Sequence, residues 1–175
     1  MKKNVPRKIH IIGSVGSGKT TLAKKLSLKL NIPFYELDNV VWERYPSGDI
    51  RRTEAGRDEY FESIIQSQCW IVEGVHNEDW VAKSFHNAEL IIFLDPGYSV
   101  RTYRIIKRFI RQRLGIEQAN YNPTFKIFRK MFKWNRHFEE VGKPNFFKKY
   151  GGLQDKIVVV TKKFDIEEHI GKTFN

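Results

Sequence analysis

A chain of 175 residues that is 41% hydrophobic and 29% charged can bury one substantial core, and nothing along it reads as an inter-domain linker, so a single domain over 1–175 is expected. Its one cysteine, Cys69, excludes an internal disulfide framework and a cysteine-built zinc site. Apolar runs such as Leu90 to Leu94 fall far short of the ~20 residues that span a bilayer, and no signal-peptide pattern opens the chain, so no membrane partner and a cytoplasmic location are expected.

The first element is a strand, Ile9 to Ile12, a short β-branched run after the turn-forming Pro6. It leads into Gly13-Ser14-Val15-Gly16-Ser17-Gly18-Lys19-Thr20, a GxxxxGKT match without a mismatch, for which a chance occurrence has a probability of roughly 1%. Leu22, Ala23, Leu26 and Leu30 then recur at helical spacing until Asn31 and Pro33 end the pattern. Strand, glycine loop and helix in this order form a cradle for polyphosphate: glycines let backbone N–H groups wrap the phosphates, and the helix N-terminus adds its own donors and dipole. Lys19 is expected to reach the β- and γ-phosphates and the Thr20 hydroxyl to ligate Mg²⁺, with Thr21 beside it completing the cofactor-binding set.

Further apolar runs at Phe34 to Leu37, Trp70 to Val75, Leu90 to Leu94 and Ile157 to Val160 bring the strands to five. Helical patterns separate them near 19–30, 53–67, 79–86, 99–114 and 124–140, with a short one near 165–171. Continuous apolar strands joined by helices indicate an α/β fold with a parallel sheet covered on both faces. Ligands of such sheets bind beyond the carboxyl ends of the strands, where this chain places Gly13, Asp38, Glu73, Asp95 and Thr161.

The segment 97–152 interrupts the alternation and holds the whole net charge of +11: seven arginines and seven lysines against Glu117, Glu139 and Glu140, while seventeen bases balance seventeen acids elsewhere. Charge confined to one segment points to a local site for a polyanion. In its first helix Val100, Tyr103, Ile106, Ile110 and Leu114 form an apolar stripe, and Arg101, Arg104, Arg108 and Arg111 form a second one. Four guanidinium groups on one face, with no acid from Ser99 to Ile116, read as a mobile clamp on phosphate, or else as a basic surface stripe with no ligand or one for nucleic acid. After a turn at Asn120-Tyr121-Asn122-Pro123, Phe125, Phe128, Met131, Phe132, Trp134 and Phe138 interleave with basic residues, either as a core-facing stripe opposite a solvated one or as a surface that stacks nucleic-acid bases.

The phosphate loop, Leu37-Asp38-Asn39 with Trp42, Trp70-Ile71-Val72-Glu73-Gly74-Val75-His76, and Leu94-Asp95-Pro96 followed by an arginine-rich helix together resemble the FlaR-type DNA topology modulation proteins, small relatives of adenylate and shikimate kinases. The resemblance implies a three-layer P-loop fold with strand order 2-3-1-4-5, ATP and Mg²⁺ as cofactors, and a basic helical lid after the fourth strand. It assigns Asp38 to the acceptor, Glu73 to the waters of the metal, and Arg104 and Arg108 to catalysis together with Lys19. Adenine is expected between the arginine arm and Thr161, Lys162 and Lys163. The third strand ends in Glu-Gly-Val-His where adenylate kinases have Asp-Gly-Phe-Pro-Arg, so phosphate recognition on the acceptor side falls to Arg51, Arg52 and Arg57, with Trp42 and Glu73 also facing the substrate.

The expected function is transfer of the γ-phosphoryl group of ATP to a nucleotide or other small acceptor. Two alternatives stand beside it. One is a DNA-binding topology modulator that uses nucleotide as a switch or not at all and holds nucleic acid through 97–152; the other is a nucleotide-binding partner protein without chemistry.

Overall fold

Five apolar strands pair in parallel at the centre of the computed structural model, which describes residues 5–117 and 123–162. They are β1 (Lys8–Gly13), β2 (Phe34–Glu36), β5 (Trp70–Gly74), β6 (Leu90–Leu94) and β7 (Ile157–Val160). Their order β2-β5-β1-β6-β7 is the expected 2-3-1-4-5 once a separate two-stranded hairpin, β3 (Trp42–Glu43) and β4 (Ile50–Arg51), is left uncounted. β1, at the centre, is buried on both faces, which is why it reads as an unbroken apolar run.

The helices are α1 (Lys19–Leu30), α2 (Leu37–Val41), α3 (Glu54–Ile65), α4 (Ala82–Asn87), α5 (Tyr98–Arg113), α6 (Phe125–His137) and α7 (Lys143–Tyr150). The period-2 alternation of β1 divides its side chains between two cores. Ile9 and Ile11 face α1, packing with Leu22, Ala23, Leu26, Ile71 and Ile92. Ile12 faces the other way, into a larger cluster with Phe61, Phe85, Phe93, Phe146 and Tyr150 from α3, β6, α4 and α7. Each of the Ile, Leu and Phe side chains among these contributes roughly 1.5–3 kcal/mol. Local chemistry sets the helix ends: Asn31 closes α1 in the left-handed conformation (φ 53°), and the Thr53 and Thr124 hydroxyls accept from the N–H groups of Gly56 and Ile127 to cap α3 and α6.

Three expectations are corrected. Residues 37–41 form a short helix rather than the end of the second strand, so Asp38 sits in the first turn of α2. The second arm helix ends at His137, passes through a wide π turn at 138–142, and gives way to α7. The arm is not free of the body: α7 supplies Phe146 and Tyr150 to the main core, and Asn135 of α6 is completely buried. The turn at 120–123, save Pro123, the helix near 165–171 and Lys163 lie outside the described residues.

Candidate active site

The loop between β1 and α1 takes its shape from glycines that nothing else can replace. Gly16 has φ +76°, and a Cβ there would lie 2.8 Å from the Arg101 carbonyl oxygen; at Gly13 a Cβ would lie 2.6 Å from the Leu94 carbonyl oxygen. Gly18, the N-cap of α1, has φ +100°. Ser17 N–H donates to Ser14 O at 3.2 Å, tightening the turn. Ser14 is buried and donates its hydroxyl to Asn135 Oδ1 at 3.0 Å, while Asn135 donates to Thr102 Oγ1 at 3.4 Å, so α5 and α6 are tied to the underside of the loop.

Lys19 and Thr20 open α1. The Lys19 ammonium donates to Ser14 O at 3.0 Å across the loop, and the Thr20 hydroxyl donates to Glu73 Oε1 at 2.5 Å. Glu73 is a buried acid within β5, placed by the register of Ile11 with Glu73 on the strand next to β1. Burial pushes its carboxyl pKa up, against the pull of Lys19 and Thr20. Burial likewise pushes the Lys19 ammonium down, the Glu73 and Asp38 carboxylates oppose this, and Arg108 reinforces it. Lys19 therefore feels the carboxylates of Glu73 on β5 and Asp38 on α2, and Arg108 of the arm. Val15 is half-buried in the loop and Thr21 is exposed on the first turn of α1.

The glycine cradle, the N-terminal end of α1 and the hard oxygens of Thr20 and Glu73 beside an ammonium group fit a Mg²⁺–nucleoside triphosphate. Among the described residues no three His, Cys, Asp or Glu side chains gather to hold a metal by themselves. A metal here would share its coordination with phosphate oxygens.

Beyond the ends of β2 and β5 lies a second cluster. His76 Nε2 is 3.7 Å from Asp38 Oδ1, and His76 Nδ1 is 3.1 Å from Glu78 Oε2. Burial disfavours the charged imidazole, yet the two carboxylates outweigh it and raise the His76 pKa to about 9. In return His76 holds the Asp38 carboxyl below its ordinary range, against burial, and Glu78 at about 2. The His76 ring meets Trp80 edge-on at 5.2 Å, and the Arg57 guanidinium lies 4.7 Å over the same indole. Asp38, His76, Arg57 and Trp80 thus form a charged patch with an aromatic wall. His76 and Trp80 were absent from the expected set; the signal for His76 was its place two residues beyond a buried strand.

The other expected acceptor residues sit elsewhere. Arg52 donates to the Asn39 and Val40 carbonyls at 2.9 and 3.3 Å and lies 4.8 Å over Tyr60, so it caps α2. Trp42 and Arg51 face each other in the hairpin register and are exposed there.

The four arm arginines do not act as one clamp. Arg101 is fully buried, paired with Glu139 and lying 3.4 Å from Asp95, which also accepts from Lys143 at 2.5 Å. Arg111 pairs with Glu117 at 3.3 Å. Arg104 reaches the phosphate loop, donating to Ser17 O at 2.9 Å and Gly16 O at 3.4 Å. Arg108 rests on Met131 Sδ at 3.7 Å, with its charge felt at Lys19.

A parallel sheet of this order, with a glycine loop after the central strand and a carboxylate on the strand beside it, defines a shikimate kinase-like P-loop NTPase fold. No protein-family model matches the chain. Over 156 residues, 82% of this chain and 91% of the relative, it is 26% identical to a shikimate kinase of Azobacteroides pseudotrichonymphae genomovar. CFP2. Among solved structures it resembles shikimate kinase from Bacteroides thetaiotaomicron, with a TM-score of 0.50 at 15% identity over 94% of each chain. An uncharacterized protein from Eubacterium ventriosum ATCC 27560 gives a TM-score of 0.52 at 15% identity, over 95% of this chain and 98% of that one.

Proposed function

We propose that this protein is an ATP-dependent small-molecule kinase whose acceptor lies against Asp38, His76, Arg57 and Trp80. The observation that carries the reading is geometric: Lys19 and Thr20 open α1 at the phosphate loop, with Thr20 donating to Glu73 of β5 at 2.5 Å, and just beyond the ends of β2 and β5 Asp38 lies 3.7 Å from His76. A donor side and an acceptor side thus adjoin at the ends of β1, β5 and β2. The shikimate kinase relative, matched over most of both chains, supports the same chemistry.

Gly13 to Thr20 would hold the triphosphate, with Thr20 and Glu73 at the magnesium, Glu73 through water. Bound Mg²⁺–ATP supplies the transferable phosphoryl group. Asp38 accepts the hydrogen bond and then the proton of an acceptor hydroxyl, whose oxygen forms a bond to the γ-phosphorus as the bond to the β–γ bridging oxygen breaks. Lys19, Arg104 and Arg108 neutralise the charge that builds on the phosphoryl oxygens and on the departing ADP. Charged His76 keeps Asp38 ionised and, with Arg57, offers positive charge to an anionic acceptor group, whether carboxylate or phosphate.

The FlaR-type resemblance rests on sequence motifs, and nothing in the comparisons supports the DNA reading that came with it. Of the arginines that suggested a polyanion track, Arg101 is internal and Arg104 is turned onto the phosphate loop. The test is ADP release with Mg²⁺ and ATP across a panel of shikimate, other hydroxy acids, nucleosides and nucleotides, run beside DNA binding at rising salt. Acceptor-dependent release is expected from one class of the panel. Acceptor-independent hydrolysis with tight, salt-sensitive DNA binding would overturn the reading.

A further inference from the structure

α5 is an inverted amphipathic helix. Its inward face carries Arg101 and Ile105, both fully buried, and its outward face carries Val100, Tyr103, Ile106 and Ile110, continued by Leu114 at its C-cap, all 39 to 67% exposed. At 1.5 Å per residue this stripe runs for about 21 Å. Among the described residues nothing covers it. Isolated exposed apolar side chains are ordinary, but a stripe of four on one helix and a fifth at its C-cap marks a contact surface.

The surroundings of the stripe select its partner. Lys107, 5.9 Å over the Tyr103 ring, borders one side, with Arg111 beside it paired to Glu117; Arg113, 5.7 Å over the exposed Phe125 ring, borders the other. The helix contains no acid, and the segment 97–152 carries the whole net charge of +11. A second copy docked stripe to stripe would bring like charges together. A nucleic acid would engage the bases and leave the aliphatic side chains in water. An apolar ridge with aromatic members and flanking bases matches a surface that is anionic outside and apolar just beneath.

We propose that the outward face of α5 docks on an anionic phospholipid membrane. The helix lies flat, with Tyr103, Ile106, Ile110 and Leu114 entering the headgroup region and Lys107 and Arg113 meeting lipid phosphates. Among the described residues no helix is long and apolar enough to cross a membrane, so the association is peripheral. Because α5 also touches the phosphate loop through Arg104, docking would hold the site at a fixed orientation to the surface.

The experiment is flotation of the full chain with vesicles of phosphatidylcholine alone and of phosphatidylcholine with 30% phosphatidylglycerol, for wild type, Ile110→Gln/Leu114→Gln and Lys107→Gln/Arg113→Gln. Wild type is expected to float with the anionic vesicles and not with the neutral ones, and each double variant to bind about tenfold more weakly or worse, with an unchanged Tm. Absence of wild-type flotation overturns the proposal. Undiminished binding by Ile110→Gln/Leu114→Gln overturns it too, as that leaves a purely electrostatic track. A concentration-dependent dimer in sedimentation that the same variant abolishes assigns the stripe to a second copy and also overturns it.

Discussion

Arg101 and Arg104 stand one helical turn apart with the same side chain and different surroundings, so their substitutions should separate. Arg101→Ala leaves Glu139 and Asp95 short of a buried partner and is expected to cost about 3 kcal/mol in urea unfolding. Arg104→Ala removes a partly exposed side chain beside the phosphate loop and is expected to lower turnover by about 10²-fold or more, with a Tm within a few degrees of wild type. An unchanged turnover for both Arg104→Ala and Arg108→Ala would remove the arm from the catalytic account. The sequence pattern grouped these arginines because a stripe at helical spacing reports a shared face and not what the face meets. The acids that claim Arg101 stand on either side of it, Asp95 six residues before and Glu139 thirty-eight after, and no local pattern links Glu139 to it. Lys19, Thr20 and Glu73 were legible because the loop motif and the strand order fix them together.

At the scale of elements, the arm is a structural support for the phosphate loop as well as a candidate lid. Asn135 of α6 accepts from Ser14 and donates to Thr102, so Asn135→Ala leaves two polar groups without their partner, at about 1–3 kcal/mol. The expected consequence in kinetics is a severalfold higher KM for ATP with a smaller change in kcat, since the loop loosens before chemistry begins. An unchanged KM would detach α6 from nucleotide binding. Helices α1, α3 and α5 were readable from periodicity and end signals. The hairpin β3–β4 was not, because strands of two residues are too short to show alternation. Nor was α2, since Val40 and Val41 extend the β-branched character of the preceding strand into a helix held by Arg52 on its carbonyls.

For the whole molecule, two histidines shape stability in opposite directions. His10 in β1 is fully buried and stacked on Phe85 at 3.8 Å; Ser84 donates to Val81 O, so its hydroxyl oxygen accepts from His10 Nδ1. Burial, with the nearby His76, lowers the His10 pKa to about 3 from an ordinary 6.5. The unfolded chain therefore takes up a proton that the fold refuses, and stability falls by up to ~1.4 kcal/mol per pH unit from 6.5 downward. His76, raised to about 9, stabilises fully below 6.5 and loses that contribution as pH rises through 9. Unfolding free energy should peak near neutral pH. In His76→Gln the decline between pH 6.5 and 9 should flatten, while the slope between 6.5 and 4.5 stays; an unaltered alkaline decline would contradict the assigned charge.

In the proposed function the phosphate loop and Glu73 make up one donor site, and Asp38 with its partners makes up a neighbouring acceptor site. The most direct measurement of that claim is transfer of radiolabelled γ-phosphate from ATP, with each panel acceptor and with water alone, by wild type, Lys19→Met and Asp38→Asn. The account predicts label on a small acceptor in wild type, none in Lys19→Met, and in Asp38→Asn a turnover lowered about 10²-fold or more with nucleotide affinity retained. Label released only as inorganic phosphate, at equal rates in wild type and Asp38→Asn, would contradict it.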